Sequence, residues 1–251
     1  MINLDSFTKE PGRTGIATDF DGTISAIVPK NSDAKIDEDA KRVLARLQKR
    51  YRLVSVISGR PVRQLAELVG LKGLYYVGNH GAEYLTNGRY EVAPEAAGIA
   101  PTLARIYQEL KINEHNFALD YKTYSLSIHY RTHPSPQAAE IRLSKILCKY
   151  KEPDLKILKG RMVFDLYAEA IDKGRAVEHL VKTFGLKNFL YVGDDRTDID
   201  AFKKMQKLES SGVKTLRIAL VSTEAPDGLI ENCDLQLHSL NEVNNLLRHL
   251  L

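Results

Sequence analysis

The stretch GIATDFDGT at residues 15–23 decides the fold of this chain. An apolar run typical of a buried strand opens it, and the acidic turn at residues 19–23 follows where that strand would end. Open α/β sheets place their ligands at the carboxyl ends of strands. The stretch therefore predicts both an α/β sheet and a functional site at its edge.

Similar apolar runs alternate with helical periodicity through much of the remaining chain. The pattern predicts further strands at residues 53–57, 75–78, 189–193 and 216–221. It predicts helices at residues 37–50, 61–69, 174–184, 198–207 and 241–251. Asn87-Gly88 between apolar flanks adds a hairpin at residues 84–90. We therefore expect the α/β fold class, with a doubly wound and mostly parallel sheet.

Residues 95–170 interrupt this alternation. Their pattern predicts two helices and two strand pairs, at residues 102–110, 116–120, 124–130, 137–150, 155–158 and 162–167. Such an order favours an inserted α+β domain with its own antiparallel sheet. The predicted division is a core of residues 1–94 and 171–251 and an insert of residues 95–170.

Composition and charge argue against several classes of protein. Hydrophobic residues make up 43% and charged residues 27%, as in ordinary globular domains. The net charge of +4 comes from scattered basic residues, so we expect no nucleic-acid partner. No run approaches the ~18 apolar residues of a membrane span, and the amino terminus has no apolar signal region. With only Cys148 and Cys233, far apart, we expect a cytoplasmic protein without membrane association.

The acidic turn holds the first candidate catalytic residues. Asp19 at a strand end can attack phosphorus, and Asp21 two positions later can protonate a leaving oxygen. Gly22 lets the chain turn away, and Thr23 adds a hydroxyl group. A capped turn without chemistry is the alternative for this motif alone.

Two further segments offer phosphate ligands. Ser58 ends the second predicted strand just before a helix, whose first N–H groups can bind a phosphate oxygen. Lys173 begins a helix, where a cation is disfavoured by the helix dipole unless an anion lies nearby. The alternatives are a helix N-cap for Ser58 and an ordinary surface lysine for Lys173.

The segment GDDRTD at residues 193–198 contains three carboxylates in five positions. Crowded carboxylates repel one another unless a cation or hydrogen bonds offset the charge, and oxygen ligands suit Mg²⁺. The segment therefore predicts a magnesium site that includes Asp194. For Asp198 a helix N-cap remains the alternative.

Together, DFDGT (19–23), SGR (58–60), Lys173 and GDDRTD (193–198) resemble the haloacid dehalogenase superfamily of phosphatases. The resemblance implies a Rossmannoid core with residues 95–170 as a C2-type cap. GNHGAE (78–83) and HYR (129–131) are similar, more narrowly, to trehalose-6-phosphate phosphatases.

This resemblance implies roles for the named residues. Asp19 would be the nucleophile and Asp21 the acid/base, while Ser58 and Lys173 would hold the phosphoryl group and Asp198 would orient the site. The implied metal ligands are Asp19, Asp21 through its carbonyl, and Asp194. The implied substrate-binding residues are Gly59, Arg60, His80, Glu83, Lys122, His129, Arg131 and Asp165.

The expected substrate is a small sugar phosphate, trehalose 6-phosphate. Asp120 and Asp165 depart from the family's pattern of longer acidic side chains, so sucrose, mannosylglycerate and hexose phosphates stay open as substrates. A catalytically idle, sugar-phosphate-binding regulatory subunit is a further alternative. A nucleotide-binding protein is disfavoured, since neither G-x-G-x-x-G nor a P-loop occurs. The sequence leaves open whether the protein is a monomer or has a synthase partner.

Overall fold

A computed structural model of the protein describes residues 4–28, 33–114, 116–160, 162–223 and 225–251. The chain folds as two compact units. Met1–Glu91 and Asp172–Leu251 make up the larger unit, and Val92–Ile171 makes up the smaller one. The smaller unit begins three residues before the insert expected at residues 95–170 and ends one residue after it.

The described residues contain twelve strands and eight α-helices. The strands are β1 Thr14–Thr18, β2 Leu53–Ile57, β3 Tyr75–Gly78, β4 Glu83–Thr86, β5 Arg89–Val92, β6 Ala118–Tyr121, β7 Ser125–His129, β8 Leu155–Lys159, β9 Val163–Ala168, β10 Asn188–Gly193, β11 Lys214–Leu220 and β12 Leu235–Leu237. The helices are α1 Asp5–Lys9, α2 Glu38–Leu47, α3 Val62–Val69, α4 Pro94–Asn113, α5 Pro136–Leu147, α6 Lys173–Phe184, α7 Arg196–Glu209 and α8 Leu240–His249.

The sheet of the larger unit has the strand order β12-β11-β10-β1-β2-β3-β4-β5. Strands β12 to β3 in this order run parallel, and β4 is antiparallel to β3. Thr18 at the end of β1 lies opposite Val192 on one side and Val56 on the other. The residues that follow β1, β2 and β10 consequently meet at one edge of the sheet.

Burial explains why these segments form central strands. All five residues of β1 and all five of β2 are buried, as expected for parallel strands covered on both faces. One hydrophobic core joins Ile16 and Val192 of the sheet to apolar residues of α2, α3 and α8. Helices α6 and α7 pack against each other, with α6 contacting β2 and α7 contacting β10 and β11. The doubly wound α/β prediction is confirmed.

The smaller unit is an α+β domain. Its sheet has the order β6-β7-β9-β8, with all three strand pairs antiparallel. Helix α4 contacts β6, β7 and β9 through a stripe of apolar residues that includes Ile99, Leu103 and Ile106. Helix α5 buries Ala139, Leu143 and Leu147.

Helix α4 differs from its predicted bounds of residues 102–110. It begins at Pro94 and continues through Pro101. A proline inside a helix removes one hydrogen bond, which makes Pro101 resemble a helix start in the sequence. Buried Ala96 and Ile99 lie on the turns before Pro101, and their packing explains why the helix extends across the proline.

None of the described helices is both long enough and apolar enough to cross a membrane.

The amino terminus of α2 provides a test of the fold. The Asp37 side chain accepts hydrogen bonds from the backbone N–H groups of Asp39 and Ala40, and from Asn244 of α8. We expect Asp37→Ala to lower the free energy of unfolding by about 1–2 kcal/mol in urea titrations, because two helix N–H groups lose their acceptor. Exposed Glu38→Ala is the control and should change it by less than about 0.5 kcal/mol. Equal effects of the two variants would contradict this role of Asp37.

Candidate active site

Asp19 lies directly after β1, at the sheet edge where neighbouring strands end. Its backbone N–H donates to the carbonyl of Val192 in β10 at 2.8 Å, which extends the ladder and fixes the position of residue 19. The residue is only 4% exposed. Burial raises the pKa of Asp19 well above its ordinary range; Lys173 opposes this rise, while three nearby aspartates add to it.

Lys173 is the buried cation of the site. It is the first residue of α6, and its Nζ lies 3.0 Å from Oδ1 of Asp19 and 2.6 Å from Oδ1 of Asp198. Burial alone would lower the pKa of Lys173, but these two carboxylates outweigh burial and raise the pKa. The ammonium group therefore stays charged and holds the two aspartates together.

Asp198 has both of its carboxylate oxygens occupied. Oδ1 accepts from Lys173 and from the hydroxyl of Tyr191 at 2.6 Å, and Oδ2 accepts from the backbone N–H groups of Asp194 and Asp195 at 3.0 and 2.9 Å. The residue is fully buried in the first turn of α7. Asp198 is the third residue of α7, and Asp195 is the N-cap, so Asp198 is not the N-cap of the alternative interpretation. Its side chain instead reaches back to the N–H of Asp195 and also contacts Lys173.

Tyr191 was missed by the sequence analysis. It lies inside β10 among buried apolar residues, and burial followed by the charge of Asp198 raises the pKa of Tyr191 well above its usual value. A tyrosine within a buried strand is ordinarily a core residue, so no local pattern signals its hydrogen bond to Asp198.

Asp194 lies at the end of β10 beside the acidic turn. Its Oδ1 accepts from the Thr23 hydroxyl at 2.7 Å, so Thr23 orients this carboxylate. Burial, with the neighbouring charge of Asp198, raises the pKa of Asp194 to about 7. Gly22 has a φ of 82°, and a Cβ atom there would collide with the Asp194 carboxylate. Glycine is therefore required for the turn to approach Asp194.

The structure brings three carboxylates into one cluster. Ligand atoms of Asp19, Asp194 and Asp198 all lie within 4.8 Å of one another. These oxygens suit a divalent cation, and the raised pKa values of Asp19 and Asp194 show the electrostatic cost that such a cation would relieve. Because Asp198 already accepts four hydrogen bonds, Asp19 and Asp194 are the side chains best suited to bind a divalent cation.

The side chain of Asp21 lies in a separate ion pair. Nε and Nη2 of Arg60 each donate to one Asp21 oxygen at 2.7 Å. The ion pair uses only the side chain of Asp21. Metal binding by the backbone carbonyl of Asp21 therefore stays a prediction. Arg60, expected among the substrate-binding residues, contacts the expected acid/base.

Ser58 lies at the end of β2 and is buried. Its Oγ accepts from the backbone N–H of Arg60 at 3.2 Å, and its carbonyl accepts from the N–H of His80 at 3.0 Å. A Cβ atom on Gly59 would collide with the imidazole of His80, so the SGR and GNHGAE segments lie in direct contact. Asn79 and His80 both have positive φ, as this tight packing requires.

The carboxylate of Glu83 accepts several hydrogen bonds within the larger unit. Its carboxylate is buried and accepts from the N–H of Val62 at 3.2 Å, from Asn79 Nδ2 and from the Tyr90 hydroxyl at 2.9 Å. These three donors make Glu83 a support for the start of α3 and for the strained turn at residues 79–81. Substrate binding by Glu83 stays a prediction.

The remaining predicted binding residues lie in the smaller unit. Asp120, Ser127 and Asp165 form a row across β6, β7 and β9, and Ser127 Oγ donates to Asp165 at 2.6 Å. Nζ of Lys122 lies 3.4 Å from Oδ2 of Asp120.

His129 ends β7, and burial lowers its pKa. Arg131 follows β7 and is exposed. Ser127 was missed because a serine in a strand carries no signal of its cross-strand partner.

The chain also matches a known protein family over the segments that form this site. The profile of the trehalose-phosphatase family matches residues 17–227, a span that includes every candidate residue from Asp19 to Asp198. The chain belongs to the trehalose-phosphatase family.

Curated relatives in this family are longer than the chain. A probable trehalose-phosphate phosphatase 4 of Oryza sativa subsp. japonica is 30% identical over an alignment of 203 positions, and the match covers 75% of this chain and 54% of the relative. The chain spans little more than half the length of the curated relatives it matches.

Solved structures share the fold of this trehalose-phosphatase family member. The C-terminal domain of C. albicans trehalose-6-phosphate phosphatase aligns with a TM-score of 0.79 and 20% identity, covering 98% of this chain and 94% of that one. A haloacid dehalogenase-like hydrolase from Bacteroides thetaiotaomicron aligns with a TM-score of 0.68 and 16% identity, covering 95% and 99%. The expected haloacid dehalogenase-like fold is confirmed.

The raised pKa of Asp194 leads to a stability test without metal. Because its folded pKa of about 7 lies above the unfolded value of 3.8, the proton stabilises the folded state below about pH 4, and this contribution is lost as pH rises through 7. We expect the EDTA-treated protein to lose melting temperature, relative to the EDTA-treated Asp194→Asn variant, as the pH is raised from 5 to 8. A difference that does not change with pH would contradict the shift.

Proposed function

We propose that the protein is a phosphatase that hydrolyses trehalose 6-phosphate to trehalose and phosphate through a phosphoaspartate on Asp19. The observation that carries this proposal is the buried ion pair of Asp19 with Lys173 at 3.0 Å, completed by Asp198. Lys173 opposes the burial that raises the pKa of Asp19 and so favours its ionised form, and an ionised carboxylate is the nucleophile that the reaction needs. Membership of the trehalose-phosphatase family supports the substrate.

The reaction has two steps on the same residue. Since Lys173 contacts Oδ1 of Asp19, we assign Oδ2 as the attacking oxygen. Its bond to phosphorus forms as the sugar–oxygen bond to phosphorus breaks, and Asp21 gives a proton to the departing oxygen. Asp21 then takes a proton from water as the water oxygen bonds to phosphorus, which frees phosphate and restores Asp19.

We propose Mg²⁺ as the cation, held by the side chains of Asp19 and Asp194. When bound, it supplies positive charge that stabilises the phosphoryl oxygens. Thr23 orients Asp194 through its 2.7 Å hydrogen bond. Ser58 and Lys173 contribute donors for the phosphoryl oxygens, so the chain itself supplies positioning and much of the electrostatic stabilisation.

We assign sugar recognition to the smaller unit's polar row together with Lys122, His129 and Arg131. Asp120, Ser127 and Asp165 present hydroxyl and carboxylate groups side by side, the kind of surface that binds sugar hydroxyls. His80 and Gly59 remain proposed for substrate binding. Free Cys148 and Cys233 support a reducing, cytoplasmic setting.

A panel of sugar phosphates tests the reaction and its substrate. With Mg²⁺ present, we expect phosphate release to be fastest from trehalose 6-phosphate, and Asp19→Asn to lower kcat by at least about 10³-fold because the nucleophile is lost. Asp5→Asn, at an exposed surface pair, is the control and should leave the rate unchanged. A preference for sucrose, mannosylglycerate or hexose phosphates would overturn the substrate, and full activity of Asp19→Asn would overturn the mechanism.

A single substitution tests the smaller unit's role. Asp165→Asn should raise KM for trehalose 6-phosphate about tenfold, because a charged acceptor beside Ser127 becomes a neutral amide. It should leave kcat/KM for p-nitrophenyl phosphate, which carries no sugar, within about twofold. The same loss with both substrates would show that Asp165 does not act on the sugar.

A further inference from the structure

Arg60 holds the carboxyl group of Asp21 in a planar, two-point contact. Both donor–acceptor distances are 2.7 Å, and each arginine nitrogen meets a different oxygen. The side chain of Arg60 is 8% exposed, against 40% for that of Asp21. Arg60 therefore covers the inner side of Asp21, which still presents an open side.

The backbone and side chain of Arg60 are themselves held in place. Its N–H donates to Ser58 Oγ at 3.2 Å, and its carbonyl accepts from the N–H of Asn79 at 2.9 Å. Its guanidinium lies 5.5 Å from the ring centre of Phe20, the residue between Asp19 and Asp21. Arg60 thus ties the end of β2 to the acidic turn after β1.

We infer that Arg60 is a positioning residue for Asp21, and this inference rests on the proposed phosphatase function. A two-point guanidinium contact sets both the location and the plane of a carboxyl group, which a lysine cannot do. Each Asp21 oxygen keeps a second lone-pair direction outside the arginine fork. Arg60 consequently aims Asp21 for proton transfer without touching the substrate.

The reaction gives this role a measurable signature. The proton from Asp21 goes to the leaving oxygen, so its help matters most when that oxygen is a poor leaving group. A p-nitrophenolate ion departs readily without a proton, whereas an unsubstituted phenolate needs more help and a sugar alkoxide needs the most. A misplaced Asp21 should therefore slow hydrolysis least for p-nitrophenyl phosphate, more for phenyl phosphate and most for the sugar phosphate.

The test compares kcat/KM of Arg60→Lys for aryl phosphates of rising leaving-group pKa. Aryl phosphates lack a sugar, which separates this role from sugar binding. We expect a loss of about 10–100-fold more for phenyl phosphate than for p-nitrophenyl phosphate, since small misplacement of a reacting group costs up to about 10². Exposed Arg63→Lys, in α3, is the matched control and should leave the series unchanged.

A double-variant cycle completes the test. If Arg60 acts through Asp21, then Arg60→Lys should change kcat/KM for phenyl phosphate less than about twofold in an Asp21→Asn background. An equal loss in both backgrounds, or a uniform loss across the aryl series, would overturn the inference. Arg60→Gln, with unchanged melting temperature, replaces Arg60→Lys should the lysine variant not fold. Inactivity of the unmodified protein towards every phosphate ester would instead overturn the proposed function.

Discussion

The structure depends on one buried cation, the ammonium group of Lys173 between Asp19 and Asp198. Its side chain is 2% exposed, so the charge is stable only while both carboxylates stay within hydrogen-bonding distance. This constraint joins the start of α6, the first turn of α7 and the end of β1. These three elements must lie close together, because the buried charge of Lys173 needs both carboxylates as partners.

Charge balance links this interaction to function. Asp19, Asp194 and Asp198 supply three carboxylates, while Lys173 supplies one ammonium group, so the cluster keeps an excess of negative charge. An anionic phosphate would be repelled by such a site unless a cation reduced that excess. Burial is the main cause of the raised pKa values of Asp19 and Asp194, and the neighbouring carboxylates add to it, whereas the hydrogen bonds of Asp198 compensate its own charge.

The sequence predicted those features that depend on local pattern. Alternating apolar runs and helical periodicity identify the parallel sheet, and strand-end carboxylates identify Asp19 and Asp194 because parallel strands bring their carboxyl ends together. Partners across the fold carry no such local signal. The contacts of Arg60 with Asp21 and of Tyr191 with Asp198 join residues whose types alone suggest other roles. The sequence also could not show that Glu83 supports a turn.

Trapping the phosphorylated intermediate decides whether Asp19 is the nucleophile. The protein would be mixed with a phosphate ester carrying labelled phosphorus, quenched in acid within the first turnover, digested and sequenced by mass spectrometry. We expect an acid-stable, hydroxylamine-sensitive label on the peptide that contains Asp19, at the side chain of that residue. Rapid phosphate release with label on no peptide, or on another residue, would contradict it.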